Sequence, residues 1–150
     1  MQIRVDLMPP ELIELCTPVW NKLTEDARMF LTLWAQYIEL ADDLIDEPTD
    51  KEKVRAFIEF GPQVFSCNFW LQHGVNFWLL ERVICLTYND TVDWEKAEEK
   101  WMRVDAKALS HCGYDMFFAV IIFQLGYKEA QSISRQYREY AHKKHSHDEI

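Results

Sequence analysis

The sequence predicts an all-α fold: a single-domain bundle of five or six helices over residues 1–141, with a flexible C-terminal tail over 142–150. Three observations predict it. Four glycines and five prolines in 150 residues are too few for the turns of a β sandwich or barrel. Apolar residues recur at three- and four-residue intervals, and no stretch alternates strictly. Hydrophobic residues make up 49% and aromatics 14%, enough for a packed core in place of disorder. A chain of this length buries ~68–70% of its unfolded surface.

Pro9-Pro10 opens a first helix near Glu11, and Pro18 is expected to break and restart it. Thr24 is placed to cap a long helix that carries Glu25 and Asp26 in its first turn and ends near Glu47, before Pro48. Thr49 or Asp50 caps a short helix to about Phe60, and Gly61-Pro62 breaks the chain. A long aromatic helix is expected from about Gln63 to Thr87, with a turn at Asn89-Asp90. Asp93 is placed to cap a helix running to about Leu125, which Gly126 ends. The last helix covers roughly 128–141.

The densest chemical signal is a set of five acids within nine residues: Glu39, Asp42, Asp43, Asp46 and Glu47. On a helix several of these are neighbours at i,i+3 or i,i+4, and each like-charge pair costs ~0.2–0.5 kcal/mol. They also sit at a helix C-terminus, where the macrodipole is already negative. Both penalties call for a nearby cation, either a metal ion or basic side chains. One reading is a Mg²⁺ or Mn²⁺ site with Asp42, Asp43 and Asp46 as ligands and Glu39 as ligand or hydrogen-bonding support. The other is a solvated seam, neutralised in part by Lys51, Lys53 and Arg55. Apolar residues cover most of the remaining circumference of this helix, so it is expected to be largely enclosed, its polar stripe lining a seam or a cavity.

Asp42-Asp43-Leu44-Ile45-Asp46 has the DDxxD form and resembles the first aspartate-rich motif of class I isoprenoid synthases. The longer Ala41–Glu47 stretch resembles the corresponding motif of squalene and phytoene synthases. The resemblance implies an all-α fold and Mg²⁺ holding a prenyl diphosphate. The chain is about half the length of those enzymes and has no clear second aspartate-rich motif; Asn89-Asp90-Thr91-Val92-Asp93 lacks an acid at Ala97. More of the chain resembles a group of short tailed-phage proteins that share a "DDLID" helix end, a short following helix and a late helix like 103–126. That resemblance carries no known chemistry. A further pattern, Glu11-Leu12-Ile13-Glu14 with Glu39-Leu40-Ala41-Asp42, is similar to the ExxE…ExxD of MazG-like pyrophosphohydrolases.

Other polar positions are patterned too. Arg103, Lys107, His111 and Asp115 repeat at i,i+4; the first three are candidates to hold a phosphate or to pair with the acidic stripe. Asn68, Gln72 and Asn76 repeat amid aromatic residues and are expected to form a buried polar network. His142, His145 and His147 read as incidental residues of the tail. The six tryptophans read as core or interface anchors. Cys16, Cys67, Cys85 and Cys112 lack CxxC spacing and read as buried thiols in a reducing compartment.

These patterns admit two functions. One is a divalent-metal protein that binds a diphosphate-bearing ligand, with catalysis on that ligand left open. The other is a non-catalytic phage-encoded helical interaction protein for virion assembly or host takeover. A groove open to water and lined by Lys51, Lys53 and Arg55 would favour the second. The formal charge of −9 disfavours nucleic-acid phosphates and anionic membrane surfaces as partners. No signal-peptide pattern is seen, and the apolar run 116–123 is shorter than the ~20 residues of a span, so a cytoplasmic location is expected. The apolar, tryptophan-rich composition also leads to the expectation of a homodimer, through the aromatic helix over 63–87.

Overall fold

The computed structural model describes residues 10–145, and the side-chain surroundings of 13–141. Among these residues the fold is all-α: α1 (Pro10–Lys22), α2 (Glu25–Asp46), α3 (Lys51–Val64), α4 (Asn68–His73), α5 (Trp78–Trp94), α6 (Lys100–Leu109), α7 (Tyr114–Leu125) and α8 (Tyr127–His145). Single 3₁₀ turns at Gly74–Asn76 and Ser110–Gly113 join α4 to α5 and α6 to α7. The chain forms two compact units. One is the continuous segment Thr24–Trp78; the other combines 10–23 with 79–145.

The first unit is built on α2, which packs against α3 and α4. Thr24 caps α2 as its sequence position implies, accepting a hydrogen bond from the Ala27 N–H. Asp50 caps α3 by accepting from the N–H groups of Glu52 and Lys53. The core is aromatic: the Phe30 ring stacks on Phe69 and Trp70, Tyr37 stacks on Phe57, and Phe65 meets Trp34, Tyr37 and Trp70 edge-on. Gly74 lies against the Trp70 indole, where an added Cβ would come within 2.9 Å of the ring. This close approach requires glycine, and the helix stops there.

In the second unit α7 packs against α8, and α1 against α8. Trp20 tilts onto Phe117, Tyr137 meets Tyr114 and Phe118 edge-on, and the Arg138 guanidinium lies 5.0 Å over the Phe118 ring. Lys22 and Glu129 pair at 3.0 Å. Gly126 ends α7 at φ 100°, a left-handed conformation that suits glycine.

Several boundaries differ from the sequence reading. α1 continues through Pro18 and α3 through Gly61-Pro62. Both prolines sit on exposed helix faces, where water can satisfy the carbonyl that loses its N–H partner. The single aromatic helix expected over 63–87 is instead the end of α3, then α4, a 3₁₀ turn and the first part of α5. Asn89 and Asp90 lie inside α5, and Asp93 belongs to its last turn instead of capping a new helix. α6 starts at Lys100 after Glu99, with no side-chain cap. In place of a cap, the Arg103 guanidinium donates to the Ala97 and Glu98 carbonyls at 2.7 and 2.6 Å. α8 extends to His145, into the segment read as tail. The His142, His145 and His147 side chains and residues 146–150 lie outside the described residues.

One helical run among the described residues, Lys100–Leu125, is long and apolar enough by length and composition to cross a membrane, with a mean hydropathy of 1.4 over its most apolar 18 residues. It is longer than the 116–123 stretch judged from sequence. The 3₁₀ turn at Ser110–Gly113 interrupts it, and Asp115 within it pairs with Arg138 of α8 at 3.0 Å.

Candidate functional site

The acidic cluster occupies the last turns of α2, and no basic residue lies in its final turn. Glu39, Asp42, Asp46 and Glu47 are exposed and Asp43 is half-buried. The buried residues of α2, namely Ala27, Phe30, Leu31 and Trp34, all lie in its first half. The C-terminal half is therefore not enclosed as its apolar circumference suggested: Ile45 is exposed and Leu40 and Leu44 are half-buried. α3 begins after Asp50 and packs against α2.

Charge is compensated from α3. Lys53 Nζ lies 3.2 Å from Glu47 Oε2. Its hydrogen bond to Glu47, aided by the fields of Glu47, Asp43 and Asp50, holds the lysine above its ordinary pKa. At the α2–α3 turn, Pro48, Thr49, Lys51, Val54 and Arg55 line a depression of about 390 Å³. Its walls bring two cations, a proline ring and a valine together, and none of Glu39, Asp42, Asp43 and Asp46 lines it. Among the described residues no group of three or more His, Cys, Asp or Glu side chains is placed to hold a metal ion.

The cationic candidates belong to the second unit, whereas the acidic cluster belongs to the first. The i,i+4 ladder read from sequence is broken, because Arg103 and Lys107 lie on α6, His111 in the 3₁₀ turn and Asp115 on α7. Arg103 is half-buried and tied to two carbonyls of the preceding turn. His111 stacks on Tyr114, and Asp115 accepts from Arg138. In the ExxE…ExxD pattern, Glu14 is exposed on α1, while the Glu11 side chain lies outside the described residues. The polar network expected at Asn68, Gln72 and Asn76 does not form, since all three residues are exposed.

A site not anticipated lies on α5. Glu81 is only 7% exposed and accepts two hydrogen bonds from the Arg82 guanidinium, at 2.6 and 2.7 Å. The Cys85 thiol also donates to it at 3.1 Å. The hydrogen bonds from Arg82 hold the Glu81 carboxyl below its usual pKa, against the opposing effect of burial. The sequence signal was present: between residues 68 and 89, Glu81 and Arg82 are the only acid and the only Lys or Arg. Burial pushes the thiols of Cys16, Cys85 and Cys112 up to about 11, so none is a ready nucleophile. All four cysteines are free, and Cys16 alone is fully buried.

The tryptophans divide between core and surface. Trp20 and Trp34 are buried, Trp70 and Trp94 half-buried, and Trp78 and Trp101 exposed. Other large apolar side chains also face solvent: Leu71 and Val75 in the first unit, and Leu79, Val83, Leu86 and Val104 in the second.

No protein-family model matches the chain, and no curated protein or solved structure matches it.

Proposed function

We propose that the chain is a non-catalytic helical interaction protein, of the kind its likeness to short tailed-phage proteins suggests, acting in virion assembly or host takeover. The observation that carries this reading is the set of large apolar side chains left in solvent at the end of the first unit, Leu71, Val75 and Trp78, at 70%, 77% and 53% exposure. Apolar surface of this kind marks contact sites. The depression lined by Lys51 and Arg55 supports it, since two cations and no carboxylate line it, which suits an acidic partner. Partner, cellular location and oligomeric state belong to the proposal. A photo-crosslinking residue at Val75, in protein made in its natural cell, tests it. A discrete adduct that is lost with Leu71→Ser supports the reading; absence of any adduct, with Glu59 as the control position, overturns it.

A second reading is a Mg²⁺- or Mn²⁺-dependent protein that holds a diphosphate-bearing ligand through Glu39, Asp42, Asp43 and Asp46 at the end of α2. It is supported by the DDxxD resemblance and by the last turn of α2, which carries acids and no base. Thermal melts decide it. A metal site requires Mg²⁺ or Mn²⁺ to raise the melting temperature of the wild type, by ~2.7 kcal/mol of stability at 100 times the dissociation constant. Asp43→Asn should abolish that gain. Equal shifts in ionic-strength-matched Na⁺ would dispose of the metal.

A further inference from the structure

The first unit is rich in acid, with ten Asp or Glu against four Lys or Arg, namely Arg28, Lys51, Lys53 and Arg55. Cations in such surroundings readily find carboxylates. Lys53 does so at Glu47, and Arg28 is likewise engaged. Lys51 and Arg55 are not: among the described residues neither forms a hydrogen bond or an ion pair. Arg55 has Glu52 three residues before it and Glu59 four after it on the same helix, spacings at which ion pairs form, and it pairs with neither. Both unpaired cations line one feature, the depression of about 390 Å³ at the α2–α3 turn, together with Pro48, Thr49 and Val54.

Lys51 is also placed against the helix. It is the first residue of α3, where the positive end of the macrodipole disfavours a cation. The Asp50 carboxylate already accepts from the Glu52 and Lys53 N–H groups, so an anion in the depression is held by side chains and not by the helix end. Of the acids close by, Glu47 is paired with Lys53, Asp50 is occupied as the cap, and exposed Glu52 does not line the depression. The remaining surface is apolar, from Pro48 and half-buried Val54. Its volume lies at the low end of the ~300–1,000 Å³ of ligand clefts, enough for a side chain with its neighbours and more than a lone carboxylate or phosphate fills.

We infer that this depression docks a short acidic segment of a partner protein, with one apolar side chain against Pro48 and Val54 and flanking carboxylates on Lys51 and Arg55. Charge complementarity sets both the sign and the length. The two unpaired cations select carboxylates, while the acid surplus of the unit repels a long acidic run, so only one or two carboxylates come into contact. The inference rests on the interaction reading above and gives the chemistry of one part of the partner. Two exposed ion pairs and one apolar contact are weak, so an isolated peptide binds with a dissociation constant of about 1 mM.

Heteronuclear NMR of the isotope-labelled full chain tests the docking, with acetyl-Glu-Phe-Glu-amide as probe to about 5 mM, several times the expected constant. Saturating shifts are expected at residues 48–55, weakened at least about fivefold in the Lys51→Gln/Arg55→Gln variant. No shifts there, or equal shifts with acetyl-Gln-Phe-Gln-amide, overturn the inference. Inorganic phosphate is titrated in parallel; shifts as large as the peptide's at equal concentration would mean a free-anion site and overturn the docking. Lys51→Gln alone is expected to weaken peptide binding and to raise the melting temperature, since it removes a cation from the start of α3. A lower melting temperature with unchanged binding would assign Lys51 to the fold and count against the inference. If the peptide fails while the cross-linked adduct at Val75 forms, this inference falls and the interaction reading stands. If the peptide binds and no adduct forms, the reading falls and the acid-binding depression remains.

Discussion

Replacing Phe30 by alanine should damage the first unit more than any other single truncation in α2. Phe30 is fully buried, and its ring centroid lies 5.2 Å from Phe69, 5.5 Å from Trp70 and 6.4 Å from Trp34. A buried Phe→Ala change costs about 3–5 kcal/mol, and the ring pairs add ~0.5–1.5 kcal/mol beyond area burial. A unit of this size has roughly 3–8 kcal/mol in total at the usual stability per residue. Phe30→Ala thus brings the segment Thr24–Trp78 close to its unfolding threshold. Phe30→Leu, which retains most of the apolar volume, should cost less than half as much. Hydrogen exchange read by mass spectrometry, alongside urea denaturation, is the assay. Amides of α2, α3 and α4 should lose protection while α7 and α8, whose contact is made by Tyr114, Phe118 and Tyr137, keep most of theirs. A loss below ~1 kcal/mol, or equal loss of protection in α7 and α8, would refute the placement of Phe30 at the centre of a separate aromatic core.

Three further outcomes are expected. Glu81→Gln should remove a stabilisation that the wild type has above the unfolded carboxyl pKa of about 4.3 and loses as pH falls through the lower folded value; the variant's urea midpoint should change less than the wild type's across that acidic window, and parallel pH profiles would count against it. Gly74→Ala should destabilise by about 1–3 kcal/mol, because its Cβ would meet the Trp70 indole at 2.9 Å, whereas Gly61→Ala, whose nearest side-chain atom is 3.7 Å away, should stabilise α3 by ~0.5–1 kcal/mol; thermal melts that rank the two the other way would contradict the packing. Cys16, Cys85 and Cys112, with thiols pushed up to about 11, should resist alkylation at pH 8 until the chain is unfolded, and rapid native labelling of Cys85, followed by peptide mass mapping, would argue against its hydrogen bond to Glu81.

What the sequence conveyed well was local chemistry with a single meaning. Thr24 before Glu25-Asp26, Asp50 before α3 and Gly126 after α7 each terminate a helix as their side chains or backbone freedom dictate. Proline was read too strictly. Pro18 and Pro62 are tolerated because they face solvent, and exposure is a tertiary property that no local rule supplies. Gly74 stood in plain view inside the aromatic segment, but its role depends on the indole of Trp70 folding over it. At the candidate site the acids were visible as a cluster, and so were the lysines and arginine downstream. That Lys53 swings back to Glu47, while Lys51 and Arg55 wall a separate depression, depends on the direction in which α3 leaves the turn. Arg103 shows the same limit: its spacing suggested a phosphate ligand, and the fold uses it to hold the turn before α6.

The order of the units along the chain has a consequence for biosynthesis. The first unit is an insertion: α1 precedes it, and every other helix wholly within the second unit follows it. A ribosome therefore releases α1 long before its docking helix α8 exists. Lys22 must wait for Glu129, 107 residues later, while the aromatic segment between them can already close upon itself. During that interval the apolar side of α1, with Cys16, Val19 and Trp20 destined for burial, has no native cover from α8. The nascent chain is most vulnerable to misassociation in this window.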